Sequence, residues 1–356
     1  MKRIFILLSF AFIGFSLTAQ DVHFSQFYAS PLTLNPALTG KFNGLYRVSA
    51  IYRDQWRNVQ EQKANTFMTP SVSLDFSLLK NKLNNSALGV GVVVTYDKVG
   101  LFQTIDAGLS LAYHLGLDKK GLYHLALGFQ GMYSNRKIGN DFTFGEELVP
   151  INPTFIDDGN IDTEGHHLFS LTPGLIFDAK MGKEKKSAIY VGYSLNMNLT
   201  PAQDLFVVNS LYEVNGLPMR HVAHAGAEFN VKKFLVIPGV LYQTTDNTDE
   251  LNFGVTAGYK LIEAPKKNTK LFVGLWYRTN MGNAFKSGSF IPKLGVDFEN
   301  FRVSAAYDIG HGSIASSSLD ATNVGQIPQA FEIAINYFGQ GNTPKPTKTY
   351  LFNPRF

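Results

Sequence analysis

The feature that most constrains the fold is a strict alternation of apolar with small or polar residues, which recurs from residue 44 almost to the end of the chain. In 251–261, the odd-numbered positions are all apolar, whereas the even-numbered ones are Asn, Gly, Thr, Gly and Lys. Residues 104–115 and 331–337 repeat the pattern. Successive side chains of a β-strand point to opposite faces, so each segment predicts a strand with one apolar face. With 13% aromatic residues and 32 glycines, the chain is predicted to be all-β.

About fourteen such segments can be counted, and most are long enough to cross a bilayer at a tilt. They lie near 44–57, 67–80, 86–97, 101–116, 121–136, 167–181, 187–199, 219–230, 233–244, 250–262, 270–281, 288–298, 301–310 and 328–338. An even number of antiparallel strands is typical of an outer-membrane barrel. A soluble β-sandwich or propeller also alternates, and it is the alternative.

The connections between these segments favour the barrel. Those after even-numbered strands are short and polar, such as 81–85 and 118–121. The long connections, near 58–66, 137–166, 200–218 and 311–327, all follow odd-numbered strands. A barrel with short periplasmic turns and long external loops sorts its connections in this way, whereas a sandwich has no reason to. We therefore predict a transmembrane antiparallel β-barrel over 44–339, with both chain ends on the periplasmic side.

The polar faces of the strands carry more charge than a dry protein core would tolerate, because an unpaired buried charge is costly. This favours a hydrated or ion-paired lumen. The side chains predicted to form a polar network there are Arg47, Arg53, Asp106, Arg220, His224, Glu228, Lys260, Arg278, Asp297 and Arg302. Asp75, Asp178, Lys293, Asp308 and Glu332 lie in the same phase.

The first 19 residues have the pattern of a secretory signal peptide. Lys2 and Arg3 precede an apolar run that ends near Leu17, and cleavage is expected after Ala19. The chain has no cysteine, which excludes a disulfide framework and a lipoprotein anchor. The net charge of +4 falls to +2 without Lys2 and Arg3, so nothing in it indicates nucleic-acid binding.

Residues 20–43 have neither a helical nor a strand pattern, yet they are rich in aromatic and leucine side chains. A barrel of this size leaves a lumen too wide for side chains alone to fill. We predict that this segment starts at the periplasmic mouth, directly before the first strand, and packs as a plug inside the barrel or across that mouth. A disordered N-terminal lead is the alternative. The tail 340–356 contains Pro344 and Pro346 and is predicted to dock on the periplasmic side, against the plug or a periplasmic partner.

Residues 20–43 also resemble a known family. Its motif residues are His23, Phe24, Ser25, Gln26, Phe27, Tyr28, Pro31, Leu32, Asn35, Pro36 and Gly40. Together with the Tyr-Arg pairs of the first strand, they resemble the start of the PorP/SprF family, outer-membrane proteins of the type IX secretion and gliding systems of Bacteroidetes. The ending 353–356 also resembles the family. Val22 and Asn353 depart from its usual proline and cysteine, which affects subfamily placement only.

The resemblance implies a non-enzymatic role in the export or surface attachment of large adhesin-like proteins with type B C-terminal sorting domains. The partners it implies are outer-membrane lipid, such an exported protein and other type IX components on the periplasmic side. PorP-like members are core secretion components, whereas SprF-like members each serve one partner. The sequence leaves both open, and we favour the second.

Other functions were weighed against this one. The main alternative is a passive channel or a transporter of hydrophobic solutes. An outer-membrane enzyme lacks a nucleophile motif, and His221 and His224 point to opposite faces, so they cannot chelate one metal together. The acidic loop 157–167 could bind calcium, but its spacing departs from the EF-hand pattern. No cofactor, metal or catalytic residue is predicted.

Overall fold

The computed structural model describes residues 23–56, 67–80, 85–100, 102–138, 165–181, 187–200, 219–245, 248–264, 267–283, 286–312, 329–340 and 353–354. Fourteen antiparallel strands close into a single barrel in which each strand pairs with its neighbours in sequence. The first and last strands close the ring, with Tyr46 opposite Gly339 and Gln55 opposite Ala330. The predicted fold class is confirmed.

The strands agree with the predicted segments to within a few residues. They are β1 Tyr46–Gln55, β2 Phe67–Leu78, β3 Ala87–Val99, β4 Phe102–Gly116, β5 Tyr123–Ile138, β6 His166–Met181, β7 Ser187–Asn198, β8 Arg220–Val231, β9 Phe234–Thr244, β10 Asp249–Ala264, β11 Lys267–Thr279, β12 Gly288–Phe298, β13 Phe301–His311 and β14 Gln329–Gly339. A short helix, α1 (Pro31–Leu34), lies between 3₁₀ turns at Phe27–Ala29 and Pro36–Leu38. A further 3₁₀ turn spans Met281–Asn283.

The alternation places the apolar face of every strand on the outside. Leu109, Val273 and Leu294 are 60 to 70% exposed there, although a soluble protein would bury such side chains. The opposite face is buried and largely polar, as Ser49, Ser73 and Ser110 illustrate. This inversion is what a bilayer requires, because hydrocarbon contacts the outer wall and polar groups find partners inside. Among the described residues, no helix is long and apolar enough to span a membrane.

The two ends of the barrel differ. Short turns join β2 to β3, β4 to β5 and β8 to β9, and we call that end the turn end. The longest connections, between β5 and β6 and between β7 and β8, lie at the opposite end, called the loop end below. The lumen between the two ends is not empty, because residues 23–42 run through it and nearly all of them are buried. We call these residues the plug.

Candidate functional site

The plug runs the length of the lumen from the loop end towards the turn end. Nε2 of His23 lies 3.3 Å from a carboxylate oxygen of Glu250, at the loop-end start of β10. At the other extremity, Lys41 pairs with Asp178 near the turn-end finish of β6. The plug was expected to start at the periplasmic mouth, beside the start of β1, and this expectation is wrong for the described residues. The described plug starts near the loop end because a cluster of charged side chains holds Ser25 deep in the barrel.

The cluster around Ser25, the Ser25 cluster, consists of two plug residues, Ser25 and Gln26, and five wall residues. The backbone N–H groups of Ser25 and Gln26 donate to the two carboxylate oxygens of Glu332, at 2.7 and 2.8 Å. The Ser25 hydroxyl donates to Asp308 at 2.7 Å. The Ser25 carbonyl accepts from Nζ of Lys293 at 2.7 Å. Every polar group of Ser25 is therefore bound by a side chain of the barrel wall.

The wall residues of this cluster also neutralise one another. Arg53 pairs with both Glu332 and Asp308, and Arg278 approaches Asp308 to 2.7 Å. The side chains of Arg53 and Glu332 are at most 2% exposed. Buried charges are tolerated only when they are paired and hydrogen-bonded, and removal of one member of such a group costs about 3 to 5 kcal/mol. The cluster therefore fixes this part of the plug strongly and in one position.

The middle of the plug is held by His224. The Asn35 side-chain oxygen accepts from the N–H of Ala37 at 2.9 Å, which defines the orientation of its amide. The amide nitrogen then faces Nε2 of His224 at 3.1 Å, and because an amide nitrogen only donates, Nε2 accepts. The ring proton is therefore on Nδ1, which faces the Tyr28 hydroxyl at 3.0 Å. His224 is thus a neutral link between Tyr28 and Asn35.

Aromatic packing fills the space around this link. The ring of Phe27 meets Trp276 edge-on at 5.5 Å, and the ring of Tyr28 meets Tyr190 edge-on at 5.4 Å. Such perpendicular pairs contribute about 0.5 to 1.5 kcal/mol beyond the area they bury. The plug side chains therefore form an apolar core inside a polar wall.

At the turn end, the plug backbone is bound by side chains of the wall. Arg47 forms a two-pronged pair with Asp75 and donates to the carbonyl of Leu38 at 3.0 Å. Asp75 also accepts from the N–H of Gly40 at 2.7 Å. Lys41 pairs with Asp178, whose other oxygen lies 3.3 Å from Nδ1 of His124, and all three side chains are fully buried. A charged group therefore closes each extremity of the plug.

Lumen-facing glycines let the plug backbone approach the wall closely. A Cβ at Gly89 would lie 2.0 Å from the carbonyl oxygen of Thr39, and one at Gly128 would lie 2.3 Å from the nitrogen of Ala37. At Gly174, a Cβ would lie 2.1 Å from the side-chain oxygen of Asn35. No real Cβ makes such contacts, so a side chain at Gly89 or Gly128 would displace the plug backbone, and one at Gly174 would displace the side chain of Asn35.

Lys80 lies outside the strands, at the turn after β2. Its Nζ donates to the carbonyls of Phe42, where the plug ends, and Gly44, the latter at 3.0 Å. Burial, reinforced by the nearby charge of Arg47, lowers the pKa of Lys80 to about 7. This cation therefore joins the exit of the plug to the turn end of the wall.

The motif residues predicted from the sequence are all in the plug, and most are fully buried. The lumen residues predicted as one network form separate groups. Arg47 pairs with Asp75 at the turn end. Arg53 and Arg278 belong to the Ser25 cluster, and Arg302 pairs with Asp297 at 2.8 Å. His224 binds the plug, Glu228 accepts from Asn230 at 3.1 Å, and Lys260 is buried in the wall. Asp106 and Arg220 line a cavity on the loop-end side of α1.

Several contacts were not predicted from the sequence. Lys41 and His124 belong to no motif and to no predicted network in the sequence. For Gly128 and Gly174, the sequence alone indicates a close approach to the wall, because each leaves a gap in the series of side chains that faces the lumen.

The described part of the tail lies beside the plug. The side-chain oxygen of Asn353 accepts from Arg47 at 3.4 Å, and Pro354 is buried. The loops 139–164, 201–218 and 313–328 lie outside the described residues, as does most of the acidic loop 157–167. Among the residues that are described, no group of His, Asp and Glu is arranged to hold a metal ion.

Comparisons with known proteins agree with this architecture. The chain is similar in structure to the CymD monoaromatic hydrocarbon channel, with a TM-score of 0.51 at 11% identity, over 88% of this chain and 94% of that one. It is also similar to the toluene transporter TodX of Pseudomonas putida, with a TM-score of 0.50 at 9% identity, over 90% and 98%. At such identities the likeness shows the fold alone. No curated protein matches the sequence significantly.

A family model supplies the identity that these distant structures do not. The model of the type IX secretion system membrane protein PorP/SprF matches residues 16–334, which include the plug and nearly the whole barrel. The motif residues that the structure buries in the lumen lie inside this match. The chain belongs to the PorP/SprF family of type IX secretion system membrane proteins.

Proposed function

We propose that this outer-membrane barrel serves the export or cell-surface attachment of large adhesin-like proteins that end in type B C-terminal sorting domains, as part of the type IX secretion and gliding machinery. The signal peptide is removed near Ala19, and the loop end faces outwards. The barrel acts by binding and has no enzymatic step. Other type IX components meet it on the periplasmic side.

The observation that carries the proposal is the occupied lumen. The plug is bound by paired charges at both extremities, through Glu332 and Asp308 near the loop end and through Asp75 and Asp178 at the turn end. A barrel whose lumen is blocked by such a plug offers no free path to solutes. Its activity is then expected at its loop end and its turn end, where it meets protein partners. Membership of a secretion family supports the same conclusion.

The second candidate is a passive channel or a transporter of hydrophobic solutes. The similar solved barrels are described as a monoaromatic hydrocarbon channel and a toluene transporter. Against it stands the lumen wall, which is lined by hydroxyl, amide and charged side chains, whereas sites for apolar ligands are predominantly apolar.

Gene deletion with complementation tests the proposal. Without the gene, proteins with type B sorting domains should disappear from the cell surface and accumulate in the cell or the medium. The wild-type gene should restore them. Unchanged surface display in the deletion strain contradicts the proposal. Uptake of toluene by liposomes that contain the purified barrel, at a rate well above that of empty liposomes, would instead favour the transporter.

A further inference from the structure

A cavity with a mixed polar and apolar lining lies inside the barrel between the plug and the loop end. Its floor is plug residues 32–36, and its wall comes from the loop-end halves of β3 to β8. Its volume is about 110 Å³. We call it the basin. It lies where β5 to β8 reach the loop end.

The floor of the basin is preformed. Gln130 donates to the carbonyl of Leu32 at 3.0 Å, and Ser194 donates to the carbonyl of Leu34 at 3.0 Å. Asn35 donates to backbone carbonyls of β6 and β7. Because the floor already has its partners, a ligand can bind to the basin without reorganising the plug, which lowers the cost of binding.

The chemistry of the basin suits a peptide chain. Hydroxyl, amide and charged side chains make up most of its wall, beside Met132, Leu168 and Val222, and among the described residues that line it there is no aromatic ring. Asp97 and Asp106 supply negative charge from β3 and β4, whereas Arg136 and Arg220 supply positive charge from β5 and β8. Such a wall offers donors and acceptors to a peptide backbone and can pair with side chains or a terminal carboxylate of either sign.

The plug limits what such a chain can do. A polypeptide that enters from the loop end reaches α1 and cannot continue, because the plug fills the lumen beyond it. A pocket whose floor is closed by the plug accepts an end of a chain and not a passing segment. From this we propose that the basin binds the polar C-terminal end of the exported partner, with its terminal carboxylate near Arg220. This inference rests on the proposed function, which gives the partner a C-terminal sorting domain.

Site-specific cross-linking tests the inference, because the chain has no cysteine of its own. Ser170 lines the basin and is half-buried, whereas the adjacent Phe169 is 55% exposed on the outer wall. Cells that carry Ser170→Cys or Phe169→Cys are treated with a maleimide-benzophenone reagent and irradiated. The Ser170 variant should form an adduct, and mass spectrometry should identify its cross-linked peptide as the C-terminal end of a protein with a type B domain. The Phe169 variant should give none.

Two results overturn the inference. One concerns Ser170→Cys in cells that display the partner: either the reagent does not label the cysteine, or the labelled cysteine forms no adduct with the C-terminal end of the partner. The second test is surface display of the partner, which Arg220→Glu should lower at least tenfold; normal display by this variant is the other result that overturns the inference. Lys233→Glu makes the same charge change at an exposed turn, and its display should be unchanged. If Arg220→Glu displays the partner normally but gene deletion abolishes display, only the basin assignment fails. If deletion has no effect, the proposed function fails.

Discussion

The backbone nitrogen of Ser25 lies 2.7 Å from Oε1 of Glu332, although the two residues are 307 positions apart in sequence. This hydrogen bond ties the plug to the strand that closes the barrel. Since Glu332 is also paired with Arg53, the position of the plug and the seam between β1 and β14 depend on the same carboxylate.

Glu332→Gln should loosen the loop-end part of the plug. The amide keeps the shape of the side chain but removes the negative charge and one of the two acceptors for the N–H groups of Ser25 and Gln26. A loss of about 3 to 5 kcal/mol is expected. Protease digestion of the purified barrel should then cut near Ser25, whereas the wild type stays resistant. Glu299→Gln, at an exposed turn, is the control. Equal resistance in Glu332→Gln and the wild type would show that the cluster does not hold the plug.

Gly128→Ala should disturb the fit of the plug, whereas Gly131→Ala on the same strand should not. A Cβ at Gly128 would lie 2.3 Å from Ala37, but one at Gly131 meets no atom within 4 Å. Overpacking of this kind costs about 1 to 3 kcal/mol. Unfolding in urea, followed by the gel mobility of the folded barrel, measures both. The same midpoint for the two variants would mean that the plug does not pack against β5.

Asn35→Asp should destabilise the plug with almost no change of shape. The amide nitrogen now faces three acceptors, which are the carbonyls of Leu175 and Tyr193 and Nε2 of His224. An ionised carboxylate would oppose all three, so we expect a loss of about 1 to 3 kcal/mol at neutral pH. The same urea midpoint checks it, with Asn300→Asp at a turn as control. The loss should shrink as the pH falls through the pKa of the new carboxyl group, and a loss independent of pH would argue against this reading.

Lys80 should make stability depend on pH in the alkaline range. Its pKa in the folded barrel is about 7, below the usual value of 10.5, so the unfolded chain binds the extra proton between these values. Stability should therefore rise from about pH 7 to pH 10, with a slope of at most about 1.4 kcal/mol per pH unit. Lys80→Met should remove the rise, and a rise that persists in that variant must come from another group.

The sequence predicts the wall of the barrel well and the path of the plug poorly. Alternation fixes which face each side chain takes, so all fourteen strands and the inward direction of Arg53, Asp308 and Glu332 follow from it. It contains no information on distances across a lumen. The pairing of Ser25 with Glu332, and the direction in which the plug runs, depend on such distances. The missing side chains at Gly128 and Gly174 can be seen in the sequence, but their reason cannot: the plug backbone lies against Gly128, and the side chains of Asn35 and Pro36 lie against Gly174.

The account depends most on the plug lying inside the lumen, and one disulfide tests this directly. The hydroxyls of Thr39 and Ser110 are 2.6 Å apart, so cysteines at both positions should bond in the folded barrel. Thr39→Cys with Leu109→Cys is the control, because Leu109 is 70% exposed on the outer wall of the same strand. We expect the first pair to resist maleimide labelling in outer membranes unless it is reduced, and the control pair to keep free thiols. Free thiols in the first pair would contradict the account.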